Sequence, residues 1–155
     1  MTKNDYMKMA TDLAIENVAN GGGPFGAVIV RDGEIISTGV NRVTPDNDPT
    51  AHAEVSAIRA ACQKLGTFQL DGCEIYSSCE PCPMCLGAIY WAHIDRLYYG
   101  CNQRDADNIG FSDEFIYKEL ALDSSKRKLK TKELLPEYAI KAFEAWNQKE
   151  DKTEY

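Results

Sequence analysis

The sequence lacks long hydrophobic runs and contains few cysteines. No apolar run reaches the ~18 residues that a membrane-spanning helix needs, and residues 1–5 lead into a polar, amphipathic stretch without a secretory apolar region. Six cysteines in 155 residues are too few for a disulfide scaffold. We therefore expect reduced thiols, a cytoplasmic location and no membrane partner.

Positive charge is also scarce. The chain has 24 Asp and Glu residues against 17 Lys and Arg residues, which gives a formal net charge of −7. Binding a long phosphate backbone would therefore need a concentrated basic face. We interpret the basic cluster at 126–132 as a solvated loop or edge strand. A local patch that binds nucleic acid is the alternative interpretation. Small molecules are favoured as partners, and nucleic acid is not.

The chain has the length and apolar content of one ordinary domain, with 44% hydrophobic residues. No internal repeat or linker divides it, so a single domain over 1–155 is predicted. Apolar periodicity predicts a first helix that residues 20–24 end. Strands at 25–30 and 35–40 follow, and the Asp-Gly pair between them is typical of a tight hairpin turn.

Helices and strands alternate after this hairpin. A second helix begins at about Ala51, and larger apolar residues are predicted to form its buried face. Because strand, helix, strand, helix and strand follow in order, right-handed crossovers and parallel neighbours are expected. The predicted fold is a three-layer α-β-α arrangement with helices on both faces of a mixed sheet of about five strands. The residues predicted to be buried in the second helix are Val55, Ile58, Cys62 and Leu65. The later elements are predicted to be strands at 74–78, 96–99 and 129–133 and helices at 82–92, 113–120 and 136–148.

Two short segments carry metal-ligating residues, His-Ala-Glu at 52–54 and Pro-Cys-Pro-Met-Cys at 81–85. Cys82 and Cys85 lie three apart in a first helical turn, so both sulfurs can face one side. A helix N-terminus favours their thiolates. His52 starts the preceding helix, and crossovers bring both helix starts to the same end of the sheet. Three such ligands leave the fourth tetrahedral position open for water, as in catalytic zinc sites.

Glu54 lies two residues from His52 and therefore close to that water without being a ligand. Zinc can lower the pKa of water to ~7. Glu54 can then carry the proton to a substrate ring and to a departing amine. His-x-Glu with a downstream Pro-Cys-x-x-Cys is the signature of zinc nucleobase deaminases.

Each part of this pattern has a plainer interpretation on its own. His52 could be an ordinary histidine, and Cys82 with Cys85 could be redox cysteines or half of a structural zinc site. Cys79 extends the run to Cys-x-x-Cys-x-x-Cys, which suggests an iron–sulfur cluster, but residues 86–89 supply no fourth cysteine. Together the residues favour one catalytic zinc per chain, with Cys79 as a residue that supports the ligands or packs beside them. Imidazole and thiolate ligands also bind iron, so iron is an alternative to zinc at this site.

With Asn41, these motifs resemble the cytidine and deoxycytidylate deaminase superfamily, and within it the bacterial guanine deaminases. The resemblance rests on the segments 23–27, 47–54, 78–92 and 110–119 and on the terminal Glu-Tyr. It implies a cytidine-deaminase-like fold and the zinc-dependent hydrolysis of guanine to xanthine and ammonia in purine metabolism. Alternatives are deamination of guanosine, cytosine, an aminotriazine or tRNA adenosine. A non-catalytic zinc-binding module is a further alternative, which Glu54 opposes.

The resemblance also implies which residues contact the base. Phe25 would stack on the ring, and Asn41 would hold an amide-like edge. Asp113 would accept hydrogen bonds from the ring N–H and the exocyclic amine and could help to carry protons. Alone, Phe25 would be a core residue, Asn41 a turn residue and Asp113 a helix cap. The remaining implied substrate contacts are Ala53, Trp91 and Tyr155.

The C-terminal segment is expected to serve assembly. The resemblance implies a homodimer in which residues of about 136–155 are exchanged between subunits and cover the pocket, with Tyr155 adding a contact to the base. The predicted helix at 136–148 carries Tyr138, Phe143 and Trp146, an apolar face that could dock on a neighbouring subunit. A charged chain end without such docking is expected to fray.

Overall fold

The computed structural model describes all 155 residues, which form two compact units, Met1–Tyr117 and Lys118–Tyr155. None of the helices combines the length and apolar character required to span a membrane. The elements in chain order are α1 (Lys3–Ala19), β1 (Gly26–Arg31), β2 (Glu34–Val40), α2 (Val43–Asp46), α3 (Ala53–Leu65), β3 (Cys73–Cys79), α4 (Pro83–Trp91), β4 (Arg96–Cys101), α5 (Gln103–Asn108), α6 (Asp113–Leu120), a 3-10 turn (Ser124–Lys126) and α7 (Pro136–Gln148).

The first unit contains a four-stranded mixed sheet in the order β2-β1-β3-β4. Strand β1 is antiparallel to both of its neighbours, whereas β3 and β4 are parallel. Asp32 and Gly33 connect β1 to β2 with φ angles of 51° and 78°. A two-residue hairpin turn requires this left-handed backbone, which Asp-Gly adopts readily. The predicted hairpin and the mixed sheet are confirmed.

Two expectations about the sheet are wrong. The sheet has four strands rather than about five, because residues 129–133 pair with no strand and are exposed. A strand is stabilised by the side chains that it packs against its neighbours, and these exposed residues have no such packing. In addition, β2 and β3 run in the same direction but are not neighbours. Strand β1 lies between them and is hydrogen-bonded to both.

Helices cover both faces of the sheet, which confirms the three-layer α-β-α arrangement. Helix α1 packs on one face through Tyr6 and Ala10, and α3 packs on the other through three alanines. Successive strand residues point to opposite faces, so β1 contributes to both clusters. The β1 side chains are Val28 and Val30 toward α1, and Ala27 and Ile29 toward α3.

Helix α3 lies close to β2 because Gly39 has no side chain. The buried apolar face of α3 consists of Ala53, Ala57 and Ala61, while the larger apolar residues predicted to form it are only half-buried. A Cβ atom at Gly39 would overlap the carbonyl oxygen of Ala53 and the amide nitrogen of Ala57. This close approach fixes the start of α3, and with it His52, against the sheet.

The second unit has no buried residue. Its main element is α7, which confirms the helix predicted at 136–148. The aromatic residues of α7 are exposed: 67% for Tyr138, 70% for Phe143 and 39% for Trp146. The aromatic side chains of this helix are therefore not buried.

Candidate metal centre and substrate cavity

Three ligand-type side chains meet at the starts of two helices. His52 is the N-cap residue of α3 and Cys82 is that of α4, with Cys85 in the first turn of α4. Pro83 suits the first position of α4 because a helix leaves that N–H unpaired in any case. Neither N-cap side chain bonds to its own helix backbone. Instead, Nδ1 of His52 lies 3.5 Å from Sγ of Cys82 and 3.5 Å from Sγ of Cys85.

These distances fit a tetrahedral zinc ion. The three candidate ligand atoms all lie within 4.8 Å of one another. Zinc–sulfur bonds of about 2.3 Å and zinc–nitrogen bonds of about 2.0–2.1 Å place N and S about 3.5 Å apart in a tetrahedral centre. That is the separation observed here. Imidazole and thiolate are also suitable zinc donors, so the residues present fit a single zinc ion.

The two ligand cysteines have opposite pKa shifts. The pKa of the Cys82 thiol falls to about 4, because Cys85 donates a hydrogen bond to its sulfur and His52 lies against it. The pKa of Cys85 is raised, chiefly by that same hydrogen bond to Cys82 and by burial. The His52 pKa is raised, first of all by its contact with Cys82. The lowered pKa of Cys82 favours a thiolate beside His52, and a thiolate is the form in which cysteine binds a metal.

Cys79 lies outside this centre. Its Sγ is 3.8 Å from the carbonyl oxygen of Asn102. Burial raises the pKa of Cys79 to about 12, and a thiol that resists ionisation is a poor metal ligand. The geometry agrees with a packing role for Cys79 and gives no support to the iron–sulfur alternative.

Glu54 is buried beside the three ligand atoms, in the first turn of α3. The residue is 5% exposed, and Ser77 lies with its hydroxyl oxygen 2.7 Å from Oε1 of Glu54. Glu54 lines the same cavity as His52 and Cys82. A carboxyl group next to a metal centre, but not among its ligands, can exchange protons with a molecule bound there.

A cavity of about 690 Å³ adjoins this centre, large enough for a small flat ligand. The rings of Phe25 and Phe111 meet edge to face in its wall, with centroids 4.9 Å apart. Sequence reasoning found Phe25 but missed Phe111, which lies beside the predicted helix start at 113. The other lining residues are Val18, Gly22, Gly23, Pro24, Asn41, Val43, Thr44, Pro49, Cys79, Glu80 and Asp113, besides the metal-centre residues.

Hydrogen bonds through its side chain and its backbone hold Asn41 in the cavity wall. Its side-chain Oδ1 accepts from the Val43 N–H at 3.2 Å, and its carbonyl accepts from Nδ2 of Asn17 at 2.7 Å. Nδ2 of Asn17 also donates to the carbonyl of Gly23 at 2.8 Å. Asn17 therefore joins α1 to two parts of the wall. Sequence reasoning missed it, although a polar residue within the apolar face of a helix is a signal of a buried hydrogen bond.

Asp113 enters the cavity from the start of α6. Burial raises the pKa of its carboxyl group to about 6. One turn later, Tyr117 donates its hydroxyl to the carbonyl oxygen of Pro81 at 2.6 Å. This bond connects α6 to the loop that precedes Cys82. The structure thus brings Asp113 into one cavity with His52, Cys82 and Glu54.

Three residues implied as substrate contacts are not among those that line this cavity. Ala53 is fully buried in α3, and Tyr155, in the second unit, is 72% exposed. Trp91 is 66% exposed at the end of α4. Eight residues of helix rise, about 12 Å, separate Trp91 from the helix start where the ligands meet. Substrate contacts by Ala53, Trp91 and Tyr155 stay predictions.

Three candidate zinc ligands, a buried acid beside them and an adjoining cavity, all on a three-layer α-β-α fold, define the class of zinc-dependent deaminases. The chain belongs to the cytidine and deoxycytidylate deaminase family, whose zinc-binding region matches residues 1–101. The matched region contains His52, Glu54, Cys82 and Cys85.

Similarity to individual proteins extends beyond this region. A guanine deaminase from Bacillus subtilis (strain 168) is 51% identical over 156 residues, which covers 100% of both chains. The X-ray structure of guanine deaminase from Bacillus subtilis superposes with a TM-score of 0.96 at 51% identity, covering 100% of this chain and 99% of that chain. A tRNA-specific adenosine deaminase from Aquifex aeolicus is 43% identical over 99 residues, or 64% of this chain and 66% of that protein.

Proposed function

We propose that this protein is a guanine deaminase, which hydrolyses guanine to xanthine and ammonia. The observation that carries the proposal is the extent of the similarity. Likeness to the Bacillus guanine deaminase spans both chains completely, including the residues beyond 101, whereas likeness to the Aquifex tRNA deaminase covers 64% of this chain. The net charge of −7 also disfavours a tRNA substrate.

The cavity offers the groups that a guanine ring needs. Phe25 supplies an aromatic surface against which a flat heterocycle can pack. Asn41 has an amide that both donates and accepts, which matches the carbonyl and N–H of an amide-like base edge. Asp113 supplies an acceptor for the ring N–H and the exocyclic amine of guanine. These three residues therefore hold the base with its amine-bearing carbon toward the metal centre.

The residues of the centre divide the chemistry between them. His52, Cys82 and Cys85 would hold the zinc ion, which when bound would supply the Lewis acidity that makes water nucleophilic near neutral pH. Glu54 accepts one proton from water and delivers it to the ring, and it then carries a second proton, from the hydroxyl left on the carbon, to the departing amine. One C–O bond forms, one C–N bond breaks, and ammonia leaves. Burial of Glu54 excludes bulk water from this proton transfer.

We further propose a homodimer in which the segment at about 136–155 is exchanged between subunits. The support is the exposed apolar surface of the second unit, which has no core of its own. Exposed apolar patches of this kind favour contact with another protein surface. Tyr155 would then cover the pocket and add a contact to the base. The large exposed residues of this unit are Leu120, Leu122, Leu129, Leu134, Leu135, Tyr138, Ile140, Phe143, Trp146 and Tyr155.

Ammonia release from a panel of substrates tests the proposed reaction. The panel contains guanine, guanosine, cytosine, an aminotriazine and tRNA, with metal analysis of the same sample. We expect guanine to be turned over fastest and one zinc ion to be bound per chain. Turnover of another substrate, with no turnover of guanine, would contradict guanine as the substrate and would leave the assignment to the deaminases intact. Bound zinc with no ammonia from any substrate would favour the non-catalytic zinc module.

A further inference from the structure

Ser77 contacts Glu54 from the central sheet. Ser77 lies in β3, is 1% exposed and is not among the residues that line the cavity. Its hydroxyl oxygen is 2.7 Å from Oε1 of Glu54 and 2.6 Å from the carbonyl oxygen of Cys79. A substrate cannot reach a side chain buried in this way, so Ser77 does not act on it directly, and Glu54 is the site residue whose side chain it contacts.

The contact with Oε1 suits a carboxyl group that gains and loses a proton at its other oxygen. A hydroxyl group has one proton to donate and two lone pairs that accept. When Glu54 is a carboxylate, Ser77 can donate its proton to Oε1. When Glu54 carries a proton on its other oxygen, Oε1 is the carbonyl oxygen of the acid and can still accept the Ser77 proton. The Ser77 contact with Oε1 therefore serves both forms without movement of any heavy atom.

We propose that Ser77 is a positioning residue for proton transfer, whose hydroxyl holds one carboxyl oxygen of Glu54 throughout the reaction while the other oxygen exchanges protons in the cavity. This inference rests on the proposed function, because Glu54 carries protons only if the protein is a deaminase. Residue Cys79, which ends β3, precedes the loop to Cys82. The strand that orients the acid therefore also leads to the metal ligands.

Ser78 provides a matched control on the same strand. It is 9% exposed, and its hydroxyl oxygen accepts the N–H of Gly26 at 3.0 Å. Substitution of Ser77 or Ser78 by alanine removes one hydroxyl and one buried hydrogen-bond partner from β3. Only Ser77 contacts Glu54, so a general weakening of the strand can be separated from an effect on the acid.

Steady-state kinetics on the zinc-loaded protein test the proposal. We expect Ser77→Ala to lower kcat for guanine roughly 10- to 100-fold, as loss of one hydrogen bond to a charged group would. KM and zinc content should not change. Ser78→Ala should lower the melting temperature and leave kcat unaltered. Ser77→Cys keeps nearly the same volume with a weaker donor, should give an intermediate kcat, and is the informative variant if Ser77→Ala does not fold.

A double-mutant cycle and a crystal structure provide the remaining readouts. In a Glu54→Gln background, Ser77→Ala should cause no further loss of kcat, because residues that act as one unit are not additive. In a crystal structure of Ser77→Ala, the Glu54 carboxyl should occupy an altered or second rotamer. Additive losses, an unchanged Glu54 rotamer, lost zinc or equal kcat in the two serine variants would overturn the proposal. Wild-type turnover by Glu54→Gln would instead overturn the proposed function.

Discussion

The two units of the chain differ in what they bury. In Met1–Tyr117, apolar side chains form a cluster on each face of the sheet, whereas Lys118–Tyr155 buries no residue at all. The candidate zinc ligands, Glu54 and every residue that lines the large cavity belong to the first unit. Burial of apolar surface is the main stabilising contribution to a fold. The first unit therefore contains the buried apolar surface and the candidate site, whereas the second unit contributes no buried residue.

The sharpest test of this division is removal of a zinc ligand. Cys82→Ser or Cys85→Ser should lose bound zinc and all turnover, with a lower melting temperature, because metal binding is coupled to folding. Metal analysis and thermal unfolding of the same samples measure both effects. Cys79→Ser is the matched control and should keep its zinc. Zinc lost from Cys79→Ser but retained by Cys82→Ser would contradict the ligand assignment.

Substitution of the acid should separate chemistry from stability within the first unit. Glu54→Gln should retain zinc and fold while kcat falls by at least ~10²-fold, as loss of a positioned acid–base group does. Steady-state kinetics with metal analysis give the comparison. A variant that turns over guanine near the wild-type rate would show that Glu54 does not transfer the proton.

Substitution of Asp113 should affect substrate preference more than the metal. Asp113→Asn replaces a charged acceptor by an amide, and loss of a hydrogen bond to a charged group costs about 1.5–3 kcal/mol. We expect kcat/KM for guanine to fall roughly 10- to 100-fold with zinc content unchanged. Asp107→Asn, on the exposed surface of α5, is the control. Equal kinetics of the two variants would remove Asp113 from the binding site.

Deletion in the second unit should have the smallest effect. Removal of residues 149–155 should leave zinc and the fold of the first unit in place and lower guanine turnover several-fold, because the cavity would lose its proposed cover. Size-exclusion chromatography and kinetics measure assembly and turnover separately. Tyr155→Phe tests the hydroxyl alone. Equal kinetics for the shortened and full-length chains would show that the segment does not act on the pocket.

Sequence reasoning was most accurate where the pattern is local. The hairpin turn at Asp32 and Gly33 and the cysteine spacing in α4 depend on neighbours a few residues apart. Both are confirmed by the structure. The order of the strands depends on whether β3 joins the free edge of β1 or that of β2, and no local pattern encodes that choice. The sequence therefore predicts β2 and β3 as neighbours, which they are not. The strand predicted at 129–133 is a separate error, because an apolar pattern does not show whether a segment has a partner strand.

The same limit applies inside the site. Apolar periodicity selected the larger residues of α3 as its buried face, because it cannot show that Gly39 allows alanines to approach the sheet. Ser77 and Asn17 were missed since their roles depend on partners that are distant in sequence. Asp113 was found through the resemblance rather than from its own neighbourhood, where it could equally be a helix cap.

Gly39 also determines how mutational scans of this protein should be interpreted. Replacement of glycine by alanine is usually a mild change, but here the added methyl group would displace the start of α3. His52 and Glu54 would move with that helix, while Cys82 and Cys85 belong to α4. A substitution at Gly39 would therefore lower activity as a substitution in the active site does, although Gly39 is not one of the candidate zinc ligands. Libraries designed to alter substrate preference should keep Gly39 fixed and vary the cavity wall at 43, 44 and 49.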